Sequence, residues 1–114
     1  MLIIGYPKCS TCKKAEEFLK SKNLKYTYRN IKENNPSYDE IKDLYEKSGL
    51  DIKRFFNTTG LIYRELNLKD KLTDMSLEEK LQILATDGML IKRPILISDD
   101  KILVGFKVEE WEIL

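Results

Sequence analysis

Histidine is absent from this 114-residue chain. Its absence removes Ser–His and Cys–His nucleophile pairs, imidazole metal ligands and the usual near-neutral general base. Any catalysis must therefore run on thiolates, carboxylates, amines or backbone groups. Long apolar runs are missing too, and no stretch is long enough to predict a bilayer span. The N-terminal Met1-Leu2-Ile3-Ile4-Gly5-Tyr6 has no basic lead and no extended apolar core, so it reads as a buried strand rather than a signal peptide. Charge of one sign is also lacking: 20 Lys and Arg stand against 19 Asp and Glu, a formal net charge of +1. The densest positive cluster near a candidate site, Lys8, Lys13 and Lys14, is too small to predict direct nucleic-acid binding.

What is present suits one folded domain. Apolar residues make up 42% and charged residues 34%, the balance of a globular protein rather than a disordered one. A chain of this length buries roughly two-thirds of its unfolded surface and needs no disulfide scaffold. Its two cysteines are thereby freed from stapling and point to chemistry. The expected location is the cytoplasm, where a close cysteine pair is redox-active or metal-binding rather than structural.

The order of patterns predicts an α/β fold with a mixed four-stranded sheet. Leu2 to Tyr6 reads as a central strand ending at Pro7. Ala15, Phe18 and Leu19 recur at helical spacing, predicting a helix from about Ser10 to Lys22. Lys25 to Ile31 alternates weakly as a second strand. Strand, helix and strand in succession favour a parallel βαβ unit. A helical insertion is expected over about residues 37–88. Ser37-Tyr38-Asp39-Glu40 opens it as a capping box, with Ile41, Leu44 and Tyr45 as the apolar stripe and Gly49 as the stop. A short helix is expected over Asp51 to Phe56. Ser76-Leu77-Glu78-Glu79 repeats the box, with Leu77, Leu81, Leu84 and Ala85 on one face and Gly88 closing the helix. Ile95 to Ser98, Asp99-Asp100 and Lys101 to Val104 form a hairpin. A last short helix, Val108 to Leu114, is anchored by Trp111 and Leu114.

Cys9-Ser10-Thr11-Cys12 falls where the first strand hands over to the first helix. Unpaired N–H groups and the helix dipole place partial positive charge there, which favours a thiolate. Lys8 and Lys13 add cations. Two cysteines three apart in a first helical turn lie close enough for a small-ring disulfide, with Cys9 the attacking thiolate and Cys12 the resolving thiol. Two other readings stand beside this one. Both cysteines are small and pack well in a core. Zinc needs more than two thiolates, so a metal site is incomplete unless two chains share it.

A second constellation, Lys92-Arg93-Pro94, immediately precedes the Ile95 strand. Beside the cysteine pair, a cis proline here turns the preceding backbone toward a bound partner, and Arg93 brings a cation to Cys9 and to an anionic substrate. The alternative is an ordinary strand-initiating proline with a solvated arginine. Phe55 and Phe56 read as core, Arg54 and Arg64 as surface charge. Glu16-Glu17 and Glu78-Glu79 belong to exposed helix faces or first turns.

Tyr6-Pro7-Lys8-Cys9-Ser10-Thr11-Cys12-Lys13-Lys14-Ala15, Ile91-Lys92-Arg93-Pro94-Ile95 and Val104-Gly105-Phe106 together resemble the arsenate reductase (ArsC)/Spx family. The likeness includes Lys47-Ser48-Gly49-Leu50 and Tyr63-Arg64-Glu65-Leu66-Asn67-Leu68 and runs over nearly the whole chain. It implies a thioredoxin-like fold with a helical insertion. It also implies thiol chemistry with no bound cofactor, the electrons coming from a donor such as glutathione, glutaredoxin or thioredoxin. The family's arsenate reductases use one nucleophilic cysteine, matched by Cys9, and three arginines around the oxyanion. Only Arg93 matches; Asn57 and Gly105 align with the other two. Spx-type regulators carry a CxxC switch at this place and bind the C-terminal domain of the RNA polymerase α subunit, with Gly49 near the glycine used at that contact. The expectation is a thiol–disulfide oxidoreductase in which Cys9, Cys12 and Arg93 act, with Lys8, Lys13, Pro94 and Gly49 as candidate substrate or partner contacts.

Overall fold

The structure, a computed structural model, describes all residues from Met1 to Leu114. Four short strands form one sheet in the order β2-β1-β3-β4: β1 Leu2–Gly5, β2 Thr27–Asn30, β3 Ile95–Ser98 and β4 Lys101–Val104. The β1 and β2 strands run parallel and are joined by helix α1, Ser10–Ser21, as the βαβ pattern requires. The β3 strand returns antiparallel to β1, and β4 closes the hairpin beside it. Asp99, at φ 54°, makes that turn. The sheet is mixed, as the sequence predicts.

Strand register divides the core. Ile3 pairs with Leu96 and Ile4 with Ile95, and successive side chains point to opposite faces. Ile3 and Leu96 pack with Ala15 and Leu19 of α1 and with Trp111. Ile4 and Ile95 join a larger cluster under the insertion, including Ile41, Leu44, Phe55, Leu81, Leu84 and Leu90. Trp111 belongs to α6, Val108–Trp111; its indole N–H donates to the Gly105 carbonyl at 3.1 Å, and its ring meets Phe18 and Phe106 edge-on.

The insertion opens with α2, Tyr38–Ser48, whose capping box is complete: Ser37 accepts from the Glu40 N–H while the Glu40 carboxylate accepts from the Ser37 N–H. Gly49 ends it at φ 69°, a left-handed conformation that favours glycine. The segment expected as a helix over Asp51 to Phe56 is a tighter 3₁₀ turn, Ile52–Phe55. Two short helices follow, α3 Leu61–Glu65 and α4 Leu68–Lys71, and then α5, Leu77–Leu84.

Two details of α5 correct the sequence reading. Leu77 is exposed rather than part of the buried stripe, because at the first helical position it projects beyond the core that Leu81 and Leu84 reach. Gly88 does not close the helix, which ends at Leu84 with Ala85 as its cap. It is buried in the next turn, so tightly packed that an added Cβ would stand 2.3 Å from the Ile31 carbonyl oxygen. The remaining boundaries shift by one to three residues: α1 stops at Ser21, β2 spans Thr27–Asn30, and α6 stops at Trp111.

Candidate active site at the start of the first helix

Cys9 occupies the N-cap of α1 in an extended conformation, with φ −85° and ψ 117°. The turn is set by the chain itself: the Cys9 N–H donates to the Tyr6 carbonyl at 2.9 Å, and the Cys9 carbonyl accepts from Lys13 N–H at 3.1 Å. The Cys9 sulfur replaces the usual capping oxygen and accepts from the Cys12 N–H at 3.4 Å. An acceptor in that place is stabilised when it is negative, because the first-turn N–H groups point at it.

The two thiols differ in environment. Cys9 is half-buried; Cys12 is 1% exposed. Burial works against a Cys9 thiolate, but the hydrogen bonds from Cys12 and the charge of Arg93 outweigh it and hold the thiol below its ordinary value. Burial pushes Cys12 up to about 12, reinforced by the Cys9 sulfur beside it. Cys9 therefore gives up its proton more readily than an ordinary thiol, while Cys12 keeps its own. Both are free cysteines here.

Gly5 leaves room for this arrangement. A Cβ at that position would lie 3.1 Å from the Cys12 sulfur and 3.0 Å from the Tyr28 hydroxyl. That hydroxyl is buried without a hydrogen-bond partner, and burial above all raises its pKa, so it stays protonated.

Arg93 comes from the entry to β3, which the antiparallel register sets beside the end of β1. Its guanidinium donates to the carbonyls of Met89 and Ile91, both at 3.4 Å, and lies 5.8 Å from the centre of the Tyr6 ring. Its Nε is buried and unpaired. Pro94 is buried and follows a cis peptide bond. The 3₁₀ turn carries the remaining wall: Lys92 N–H donates to the Phe55 carbonyl and Asn57 N–H to the Leu90 carbonyl, both at 2.8 Å. These bonds place the loop after Phe56 against the strand entry.

The result is a cleft of about 330 Å³ lined by Cys9, Thr11, Asn57, Thr59, Gly60, Lys92 and Arg93. Of the sequence candidates, the fold brings Cys9 and Arg93 into this cleft, while Cys12 and Pro94 are buried and do not line it. Lys8 and Lys13 are exposed but do not line it, and Gly49 is exposed at the end of α2, also outside it. Asn57 does lie in the cleft, whereas Gly105 lines the neighbouring groove. Neither Arg54 nor Arg64 supplies a second arginine. Arg54 lines the neighbouring groove, and Arg64 donates to the Thr59 carbonyl at 3.2 Å. Thr59, Gly60 and Tyr28 carry no sequence signal of their own; only the packing of the insertion loop and of β2 brings them here. No group of three or more acidic, cysteine or histidine residues is placed to hold a metal ion.

Residues 4–114 match the ArsC family. The chain is 54% identical over 107 residues to the uncharacterized protein YusI of Bacillus subtilis, covering 94% of this chain and 91% of that protein. It is 28% identical to the global transcriptional regulator Spx of Staphylococcus epidermidis, over 91% of this chain and 78% of that one. An ArsC family related protein from Bacteroides fragilis superposes with a TM-score of 0.95 at 48% identity, covering 98% of this chain and 94% of that chain. The arsenate reductase from Vibrio cholerae superposes with a TM-score of 0.85 at 29% identity, covering 100% and 98%.

Proposed function

The chain belongs to the ArsC family, and from that premise we propose that it is a thiol–disulfide oxidoreductase working through Cys9 and Cys12. The observation that carries the reading is the asymmetry of the pair: a half-buried Cys9 whose sulfur caps α1 beside Arg93, in front of a buried Cys12 held as a thiol. The Cys9 thiolate attacks one sulfur of a substrate disulfide; a Cys9–substrate disulfide forms and the other sulfur leaves as a thiolate. Cys12 then loses its proton to solvent, its sulfur attacks Cys9, and the substrate sulfur leaves. The substrate disulfide is reduced by two electrons to two thiols, and the dithiol becomes a Cys9–Cys12 disulfide. Two thiols of a donor restore the pair: the first attacks Cys9 and releases Cys12, and the second displaces Cys9, leaving the donor oxidised to a disulfide.

Cys9→Ser abolishes disulfide reduction, and Cys12→Ser stops at a mixed disulfide that mass spectrometry detects on Cys9. Normal turnover by Cys9→Ser rules the reading out. Arsenate is disfavoured as the main substrate because one arginine faces the cleft where the family's reductases are expected to present three. Each missing charge-assisted contact is worth roughly 1.5–3 kcal/mol. Arsenate-dependent thiol consumption at a rate comparable with disulfide reduction would reverse that preference.

The likeness to Spx favours a second reading, a redox-dependent binding module for the RNA polymerase α subunit. Capture of that subunit's C-terminal domain by one redox form of this chain and not the other supports it. Absence of binding in both forms removes it. The glycine at Gly49 is accounted for by its positive φ and so does not by itself argue for that partner.

A further inference from the structure

The thiol cleft adjoins a larger concavity of about 640 Å³, and the two share Thr11 and Lys92. Cations converge on this groove from three separate segments: Lys53 and Arg54 from the 3₁₀ turn, Lys92 from the entry to β3, and Lys107 from the start of α6. Their counter-charges are few. Asp51, the one carboxylate in the lining, is occupied in accepting from the Lys53 N–H at 2.9 Å. Glu110 approaches Arg54 at 3.9 Å, and no ion pair engages Lys53, Lys92 or Lys107. Gly105 lies beside the Lys92 stem, since a Cβ there would come 3.3 Å from the Lys92 Cε. Phe56, Val104 and Phe106 give the groove an apolar floor. Unpaired ammonium groups over apolar surface, in a groove adjoining the cleft of a reactive sulfur, suit an extended chain bearing carboxylates better than a compact oxyanion.

We propose that this groove receives an acidic segment next to the reacting cysteine of a protein disulfide substrate. The proposal rests on the thiol-exchange reading and adds the substrate's charge. Carboxylates on the segment meet Lys53, Arg54 and Lys107, while Lys92 spans the junction to Cys9. The chemistry is the exchange already described, with the Cys9 thiolate taking the peptide sulfur and the second sulfur leaving.

The test compares two cysteine peptides, one with a run of glutamates and one with glutamines, each held as a mixed disulfide with thionitrobenzoate. The full chain is mixed with each peptide and thionitrobenzoate release is timed. The glutamate peptide reacts about tenfold faster at low ionic strength, and the advantage shrinks to within about twofold near 0.5 M salt. In Lys53→Gln/Lys107→Gln the ratio of the two rates also falls to within about twofold. Both lysines are exposed, so the double variant folds, checked by circular dichroism. Equal rates in the unaltered protein overturn the proposal, as does a glutamate preference that survives the double substitution.

If neither peptide reacts, the exchange reading has failed and the groove is judged by binding alone. A fluorescent glutamate peptide lacking cysteine is titrated into Cys9→Ser. Binding weakened severalfold by the double substitution upholds the groove, and binding no better than that of the glutamine peptide sinks it. A single-stranded oligonucleotide of equal charge that displaces the peptide at lower concentration than unlabelled peptide also overturns the assignment, in favour of a phosphate ligand.

Discussion

At the scale of single residues, Cys9 and Cys12 share one helical turn and yet are shifted in opposite directions, Cys9 below its ordinary pKa and Cys12 above it. Cys9 lies below its ordinary value because, although burial raises it, the Cys12 hydrogen bonds and Arg93 prevail. A lowered thiol pKa means more thiolate at any pH beneath the ordinary value of about 8.5. Alkylation by iodoacetamide, followed by mass spectrometry as a function of pH, therefore shows Cys9 reacting with a midpoint below that of free cysteine. Cys12, pushed up to about 12 and buried, reacts only after unfolding. Arg93→Gln moves the Cys9 midpoint upward by removing a cation; an unchanged midpoint shows that Arg93 does not act on the sulfur. Cys9, Cys12 and Arg93 were all legible as candidates, since a CxxC after an apolar strand and an arginine before a proline-led strand are local patterns. The partnerless Tyr28 hydroxyl was not, because nothing in a weakly alternating strand indicates which residue lies over Gly5.

At the scale of elements, helix α2 rests on its N-terminal box and on a tie to β2. The Glu40 carboxylate closes the box on Ser37 and also accepts from Arg29 at 2.6 and 3.2 Å. Arg29, with support from the Ser37 N–H, holds Glu40 at about 2 despite partial burial. A carboxylate lowered by folding stabilises the fold fully above its unfolded value, near 4.3, and that contribution is lost as pH falls through about 2. Glu40→Gln removes this acid-labile part. Urea denaturation finds the variant about 1 kcal/mol less stable at neutral pH, a modest figure because the carboxylate is half exposed and screened. The gap narrows between about pH 5 and pH 2. A gap constant across that range shows that the ion pair contributes nothing. Both capping boxes are readable from serine and glutamate spacing alone. The end of α5 was not, because Gly88 is a glycine for close packing against Ile31 and not for a left-handed stop.

At the scale of the whole molecule, the sheet separates two packed layers, and Trp111 locks the smaller one. It is fully buried, contacts Phe18 of α1 and Phe106, and bonds to the Gly105 carbonyl. Gly105 in turn donates to the Pro94 carbonyl at 2.8 Å, so the C-terminal helix is tied to the wall that carries Arg93. Trp111→Ala costs about 3–5 kcal/mol by the usual measure of an emptied aromatic site. Against a total of about 5–15 kcal/mol that is a large loss, visible as a lowered urea midpoint in circular dichroism. A loss below about 1 kcal/mol means that the layer repacks without the indole.

The sequence by itself determined the element order, the mixed sheet, the two capping boxes and the thiol pair at a helix start. Each of these depends on residues close together in the chain, where periodicity, capping and spacing act. Tertiary structure alone decided that Asn57, Thr59 and Gly60 face Cys9, that Arg93 is the one arginine in its cleft, and that Lys53, Lys92 and Lys107 share a groove beside it. Those relations join segments tens of residues apart. They follow from how the insertion packs on the sheet, through long-range bonds such as Asn57 to Leu90 and Lys92 to Phe55, which no local pattern encodes.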